Sequence, residues 1–552
     1  MSSAGRVARQ AAGNATRGVR RLLQRFAFPR AGSCWVELVV RENISELLVQ
    51  HLPFQRDVPL HFLQMLEVLD AAAEDERVDG VLLTLQGGPP SLGMALALRR
   101  AVLRARDRGT PVVAYAETLG APGLLLASAA TRFWIPEVGS VFVVGIRLEG
   151  TYLRGLLDHL GVEPEVVRTG SHKSAGDRFT SERMSDAERE QLDALADDLY
   201  ETLVDAIATG RGLEPDAVRR IIDSGPHRGR AAVEAGLVDG CLYPDEIDEQ
   251  LAALSPERDA AKARSRRSAA GSDEKDGLAP DVRRIEAEAY YPLRRSCVEW
   301  QPLFREVPRI AYVVACGSIG RGRRSQGIGS DDLRGLLERL RKAEEVRAIV
   351  LRIDSPGGDS LASDLLWRSV SQVAKDKPVV VSMGDVTASG GYYMAVAANA
   401  LLAEATTITG SIGVVGGKAN LGALYRRLGV GKDAVERGAR AGLLSETRGF
   451  SDDERRAVQA ELDAVYETFV DRVMSGRGLS LEELSRVGEG RVWSGARALS
   501  LGLVDAIGGP LEALREARER AGFASGERAG IDVYPRGPRV PSARSLLRRL
   551  AW

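Results

Sequence analysis

Ala348-Ile349-Val350-Leu351-Arg352-Ile353 runs straight into Asp354-Ser355-Pro356-Gly357-Gly358-Asp359. The first six residues are a short apolar run rich in β-branched side chains. The next six carry the Pro and paired Gly that end a strand in a loop. A helical pattern follows over about 361–374. A second apolar run, Pro378-Val379-Val380-Val381-Ser382-Met383, comes next, and a second helix begins near Ser389. Short buried strands alternating with helices specify an α/β fold with mostly parallel strands.

The chain contains this pattern twice. Tyr200-Glu201-Thr202-Leu203-Val204-Asp205 returns as Tyr466-Glu467-Thr468-Phe469-Val470-Asp471, and Gly236-Leu237-Val238-Asp239 returns as Gly502-Leu503-Val504-Asp505. Pro111-Val112-Val113 matches Pro378-Val379-Val380, and Leu160-Gly161-Val162 matches Leu428-Gly429-Val430. The separation drifts from 266 to 268, which short insertions explain. With 552 residues, two domains of ordinary size fit where one core would not. The expected division is a basic N-terminal segment (1–34), a first repeat (35–255), a charged linker (256–307), a second repeat (308–525) and a basic tail (526–552).

Net charge is −1, which gives no electrostatic reason to expect nucleic acid. Cys34, Cys241, Cys297 and Cys316 lie far apart, so neither a metal site nor a disulfide framework is expected. No cofactor is expected. No segment reaches the roughly 18 apolar residues of a membrane-spanning helix. Both ends are basic and amphipathic, in Val19-Arg20-Arg21-Leu22-Leu23 and in Ser545-Leu546-Leu547-Arg548-Arg549-Leu550-Ala551-Trp552. They suit either an anionic lipid surface or frayed, solvated termini. The expected location is therefore cytoplasmic or peripheral to a membrane.

The chemistry is concentrated in Thr387-Ala388-Ser389-Gly390-Gly391-Tyr392. A serine between a strand and a helix projects from a tight turn, and the bare Gly390 beside it lets a carbonyl approach a backbone N–H. A second N–H is available from Gly357-Gly358, and two such donors make an oxyanion hole. The plainer alternative is a helix N-cap with a close packing contact. A nucleophilic serine also needs a base. All five histidines lie in the first half of the chain, so the second repeat cannot build a Ser-His-Asp triad from its own residues.

Lysine is the remaining candidate. Of 75 basic residues 67 are arginine, and Lys173 is the sole lysine before Lys262. Unlike guanidinium, an amine can lose its proton. Its neighbour His172 is the competing base. Ser411, in Thr409-Gly410-Ser411-Ile412-Gly413, is the candidate to orient the amine. Asp354 and Asp359 flank the glycine loop, either as metal ligands or as loop caps. The first repeat has Pro122 at the place of Ser389, and the second has Ala441 at the place of Lys173. Each copy thus lacks one partner, and together they make one composite Ser/Lys centre.

Three motifs taken together resemble the signal peptide peptidase A (protease IV) family in its long, duplicated form. They are Ser382-Met383-Gly384-Asp385 leading into Ala388-Ser389-Gly390-Gly391-Tyr392, then Thr409-Gly410-Ser411-Ile412-Gly413, and Lys173-Ser174-Ala175. The resemblance implies tandem duplicated Clp/crotonase-like domains built of repeated β-β-α spiral units. It implies a membrane-associated serine endopeptidase that degrades apolar peptides such as cleaved signal peptides and assembles as a homo-tetramer. In it Ser389 is the nucleophile, Lys173 the general base, and Gly358 and Gly390 the oxyanion donors. The family's long form often starts with a membrane anchor, which this sequence does not show. Two other readings share the fold: a crotonase-like acyl-CoA enzyme, and a catalytically inactive scaffold.

Overall fold

The structure, a computed structural model, describes residues 3–28, 33–47, 59–255, 282–301, 303, 307–524 and 526–535. The chain forms two compact units: Met1–Gly145 with Glu201–Val314 and Ala524–Trp552, and Ile146–Tyr200 with Ala315–Phe523.

The first unit contains an eight-stranded sheet. Its main path runs His227–Arg228, Ser140–Phe142, Val112–Gly120, Gly80–Gly87, Ser33–Arg41 and Val282–Glu286, with Arg132–Ile135 and Gly240–Cys241 as a side branch. Every pairing from Gly80–Gly87 to Arg132–Ile135 and Ser140–Phe142 is parallel. Central strands covered on both faces read as unbroken apolar runs, as Val81-Leu82-Leu83 shows with all three side chains buried. Trp35, Leu82, Val113, Tyr115, Trp134, Ile247 and Leu251 make one cluster of this core.

In the second unit the strands run Val492–Ser494, Ile408–Gly410, Val379–Ala388 and Val346–Ser355. Ala400–Ala403 sits beside Val379–Ala388, and Ala506–Ile507 beside Ala400–Ala403. Helix Ser360–Asp376 opens at Asp359, whose carboxylate accepts from the Ala362 amide at 2.8 Å. It buries Ala362, Ser363, Leu366, Val370 and Val373, the three-to-four spacing of one helix face.

The compact units do not follow the repeats. The segment Ile146–Tyr200 comes from the first repeat yet belongs to the second unit. The cause is a ladder: strand Glu163–Thr169 pairs antiparallel with Val414–Asn420 over seven residue pairs, from Val414 opposite Thr169 to Asn420 opposite Glu163.

Three of the expected segments outside the repeats contain regular structure. Within the basic segment 1–34, Ser3–Ala27 is a 25-residue helix. Its Asn14 both donates to the Gln301 carbonyl (2.8 Å) and accepts from the Gln301 amide (2.9 Å). Part of 256–307 is not linker. Val282–Glu286 pairs in parallel with Ser33–Glu37, and Ile285, Ala287 and Tyr290 are buried. In 526–552, Gly530–Tyr534 is a strand parallel to Arg309–Val313. The basic stretch 545–552 and the central part of the expected linker, 256–281, lie outside the described residues. Among the described residues, no helix is long and apolar enough to cross a membrane.

Candidate active site

Strand Val379–Ala388 ends at Ser389, and a helix of only six residues, Gly390–Ala395, follows. Ser389 takes φ 52° and ψ −120°. For a residue with a Cβ this conformation costs on the order of 1–3 kcal/mol, so it persists only where its surroundings impose it. Here the Ser389 amide donates to the Gly410 carbonyl at 2.9 Å, and its carbonyl accepts from the Tyr393 amide at 2.8 Å. The sharp turn lifts the hydroxyl off the end of the sheet, as in strand-to-helix nucleophile elbows. Ser389 is half-buried, so the hydroxyl is within reach of a substrate.

The glycine loop packs directly on this turn. A Cβ on Gly357 would sit 2.6 Å from the Gly390 nitrogen, and one on Gly358 would sit 2.1 Å from the Ile319 carbonyl oxygen. Only glycine fits either place, and both have positive φ (100° and 156°). Among the described residues, neither the Gly358 nor the Gly390 amide donates in the backbone bonds that close these loops and caps. Two free amides beside the serine can therefore receive an anionic oxygen. The helix after Ser389 is too short to add much dipole, so the amides themselves are the electrostatic feature. Asp354 accepts from the Val386 amide (3.1 Å), and Asp359 caps its helix and pairs with Arg321 (2.9 Å). Both act as structural caps, and no cluster of metal-ligating side chains exists among the described residues.

Lys173 follows strand Glu163–Thr169 and is 5% exposed. Its Nζ lies 3.0 Å from Ser389 Oγ, 2.9 Å from Ser411 Oγ and 2.9 Å from the Ser411 carbonyl oxygen. Among the described residues it has no carboxylate partner within 4.0 Å. Burial without a counter-charge disfavours the ammonium and lowers the pKa from 10.5 to about 8. All these atoms belong to the second compact unit. His172, the rival base, points elsewhere: Nδ1 is 2.9 Å from Ser171 Oγ and Nε2 is 2.7 Å from Arg491 Nη2.

The described residues other than glycine with positive φ are Ser389, Ser411 and Glu489, and all three converge on Lys173. Glu489 holds the lysine's backbone. Its carbonyl accepts from the His172 amide (2.8 Å), and its carboxylate accepts from the Ser171 amide (3.1 Å) and the Tyr466 hydroxyl (3.1 Å). A Cβ on Gly490 would meet the Lys173 nitrogen at 2.5 Å, so the two segments touch backbone to backbone. Gln191 braces the other side, donating to the Ser174 hydroxyl at 3.1 Å. Sequence reading did not find Glu489, Gly490 or Gln191. The one available signal was the Gly488-Glu489-Gly490 triplet, a tight-turn composition inside the second repeat.

The comparison of the two copies also shifts by one residue. Ser355 stands opposite Thr387 in the second repeat, and Gly87 opposite Leu119 in the first, a separation of 268 on both strands. Upstream, Ile353 faces Met383 while Leu85 faces Ala116, so Val379–Ala388 carries one extra residue between these points. Ser389 therefore corresponds to Ala121, not to Pro122. Pro122 stands at the place of Gly390, where its ring nitrogen has no proton to donate. The first copy has lost both the hydroxyl and an amide donor.

The model of peptidase family S49 matches the chain twice, over residues 104–256 and 371–524. The chain is 32% identical to "Serine protease SPPA, chloroplastic" of Arabidopsis thaliana, over 90% of this chain and 71% of that one. It is 28% identical to "Protease 4" of Haemophilus influenzae, over 87% of this chain and 75% of that one. Among solved structures it is similar to a ClpP1 from Listeria monocytogenes at 17% identity, covering 37% of this chain and 94% of that one with TM-score 0.25. Two matched copies on an α/β framework, with named proteases as relatives over most of both chains, identify the chain as a serine protease belonging to peptidase family S49.

Proposed function

We propose that Ser389 and Lys173 are the nucleophile and general base of a Ser/Lys endopeptidase. The 3.0 Å approach of a buried amine to a half-exposed hydroxyl carries this reading. Neutral Lys173 takes the Ser389 proton as Oγ attacks the peptide carbonyl. The amides of Gly358 and Gly390 receive the oxyanion. The Lys173 ammonium, held by the Ser411 hydroxyl and carbonyl oxygens, then protonates the leaving amine. In the second half-reaction Lys173 deprotonates a water that attacks the acyl ester and frees Ser389.

Apolar peptides such as cleaved signal peptides are the proposed substrates. A relative named "Putative signal peptide peptidase SppA" from Enterococcus faecium, 30% identical over 32% of this chain, supports this. Peripheral contact with an anionic membrane is proposed through helix Ser3–Ala27, where Val19, Leu22 and Leu23 are exposed among arginines. A homo-tetramer is the proposed assembly. The test is hydrolysis of apolar peptides together with fluorophosphonate labelling. Wild type is expected to do both. Ser389→Ala is expected to lose both, and Lys173→Ala to lose both at pH 7. Hydrolysis that survives in Ser389→Ala would end the proposal, and labelling that survives it would assign the reactive serine elsewhere.

A further inference from the structure

His172 is the sequence's rival base, and the dyad leaves its imidazole without a task. Both ring nitrogens are nonetheless held. Arginine only donates, so the 2.7 Å contact from Arg491 Nη2 needs a lone pair on His172 Nε2. That contact fits one tautomer, with the ring proton on Nδ1 donated to Ser171 Oγ at 2.9 Å. Arg491 Nη2 also donates to Glu190 Oε1 at 2.6 Å. The guanidinium thus has its counter-charge on helix Asp186–Arg211 and spends a second contact on a neutral acceptor.

Arg491 reaches the site through its backbone as well. Its carbonyl accepts from the Ser411 amide at 2.8 Å. Ser411 in turn offers its hydroxyl and carbonyl oxygens to Lys173 Nζ, both at 2.9 Å. Lys173 is covalently next to His172. Four residues therefore close a ring: Lys173, His172, Arg491, Ser411 and back to Lys173. Two come from each repeat, and all four lie in the second compact unit. The buried Gln191 ties the same two segments together. Its Nε2 donates to the His172 carbonyl at 3.3 Å, and its Oε1 accepts from the Val492 amide at 3.2 Å.

We propose that His172 is a positioning residue for the dyad. By accepting from Arg491 it locks the segment that carries Lys173 to the segment that presents Ser411. Nζ then meets Ser389 Oγ and both Ser411 oxygens at once. Ser411 needs such a lock, because its φ of 52° persists only where its surroundings impose it. Without the imidazole lone pair, Arg491 is drawn to the exposed Glu190 alone, and the ring opens at its side-chain link. A shift of about 1 Å at a catalytic group is enough to cost about 10²-fold in rate. Neither side chain of the link contacts Ser389, so the loss falls on kcat and leaves KM. The role rests on the Ser/Lys reading and deepens it.

The test measures kcat and KM on an apolar peptide, with urea unfolding alongside to follow the fold. His172→Leu is expected to lower kcat by about 10–100-fold at unchanged KM. His172→Asn still offers a partner to Ser171 Oγ but is too short for Arg491, and it should lose as much while folding normally. His172→Gln, whose Oε1 can take the place of Nε2, should keep most of the rate. Arg491→Leu should match the loss in His172→Leu, and the double variant should be no slower than either, because both remove one link. Wild-type kcat in His172→Asn, equal losses in the Asn and Gln variants, a change confined to KM, or losses that multiply in the double variant would each overturn the proposal. Lys173→Ala separates this role from the dyad itself. Activity surviving there sinks the dyad, whereas an inactive Lys173→Ala beside a fully active His172→Asn sinks the positioning role alone.

Discussion

Replacing Lys173 with methionine keeps the length of the side chain and removes its charge. Burial holds the folded-state pKa near 8, against 10.5 when solvated. At pH 7 this leaves about 9% of the amine neutral instead of about 0.03%, roughly a 300-fold gain in competent base. The same shift has a stability consequence. Between the two pKa values the unfolded chain binds more protons than the folded one, so wild-type stability rises with pH from about 8 to about 10.5. Below pH 8 the buried amine costs the fold about 3 kcal/mol, and by pH 10 the cost falls below about 1 kcal/mol. Lys173→Met escapes this cost but leaves the Ser411 carbonyl oxygen without its donor, a loss of about 1–3 kcal/mol that does not vary with pH. The diagnostic is therefore the pH dependence. Urea unfolding of both proteins at pH 7 and pH 10 should show the stability difference move by roughly 2–3 kcal/mol, with methionine gaining ground at the lower pH. In parallel, wild-type kcat/KM should rise about tenfold per pH unit up to pH 8 and then level off. A stability difference that is the same at both pH values, together with a flat rate profile, would refute a Lys173 whose pKa is lowered by burial.

Gly390→Pro, made with Ser363→Gly to clear the Ser363 Oγ that a Cβ would meet at 2.3 Å, should lower kcat by about 10²–10³ with little change in KM. Gly390→Ala in the same background keeps the N–H and should keep the rate. Ser411→Ala removes one of the three oxygens that accept from the ammonium, so the midpoint of the kcat/KM profile should move below pH 8, with about a tenfold loss of rate. Glu489→Ala should lower kcat at unchanged KM by releasing the Ser171 amide, and Glu489→Gln, which still offers an acceptor oxygen, should restore most of it.

Local patterning made much of this legible. The apolar runs at 348–353 and 378–383 are the central parallel strands because strands covered on both faces carry few polar residues. The glycine loop was legible because its positive φ angles and close contacts admit only glycine. Comparison of the copies brought Lys173 to Ser389 because each residue fills a gap in the other repeat. The bulge in Val379–Ala388 was not legible, since an extra residue in a strand leaves no compositional trace. That is why Pro122 was aligned with Ser389 when it stands at Gly390. Glu489 escaped for a related reason: it acts through its backbone geometry, and a glutamate seldom signals a left-handed conformation. Val282–Glu286 escaped because three of its five residues are charged, as expected of a charged connector, although it adds a strand to a sheet.

The excursion of Ile146–Tyr200 into the second unit also orders events in time. The ribosome makes Lys173 a full 216 residues before Ser389. At about 5–20 residues per second, roughly 10–40 s pass between them. On the proposed dyad, the emerging polypeptide holds throughout that interval a base with no hydroxyl to activate. Proteolytic capacity by that dyad would arise only after translation has passed Ser389 and the later half has folded around the earlier segment. On the proposed dyad, a chain that terminates before Ser389 carries no proteolytic centre.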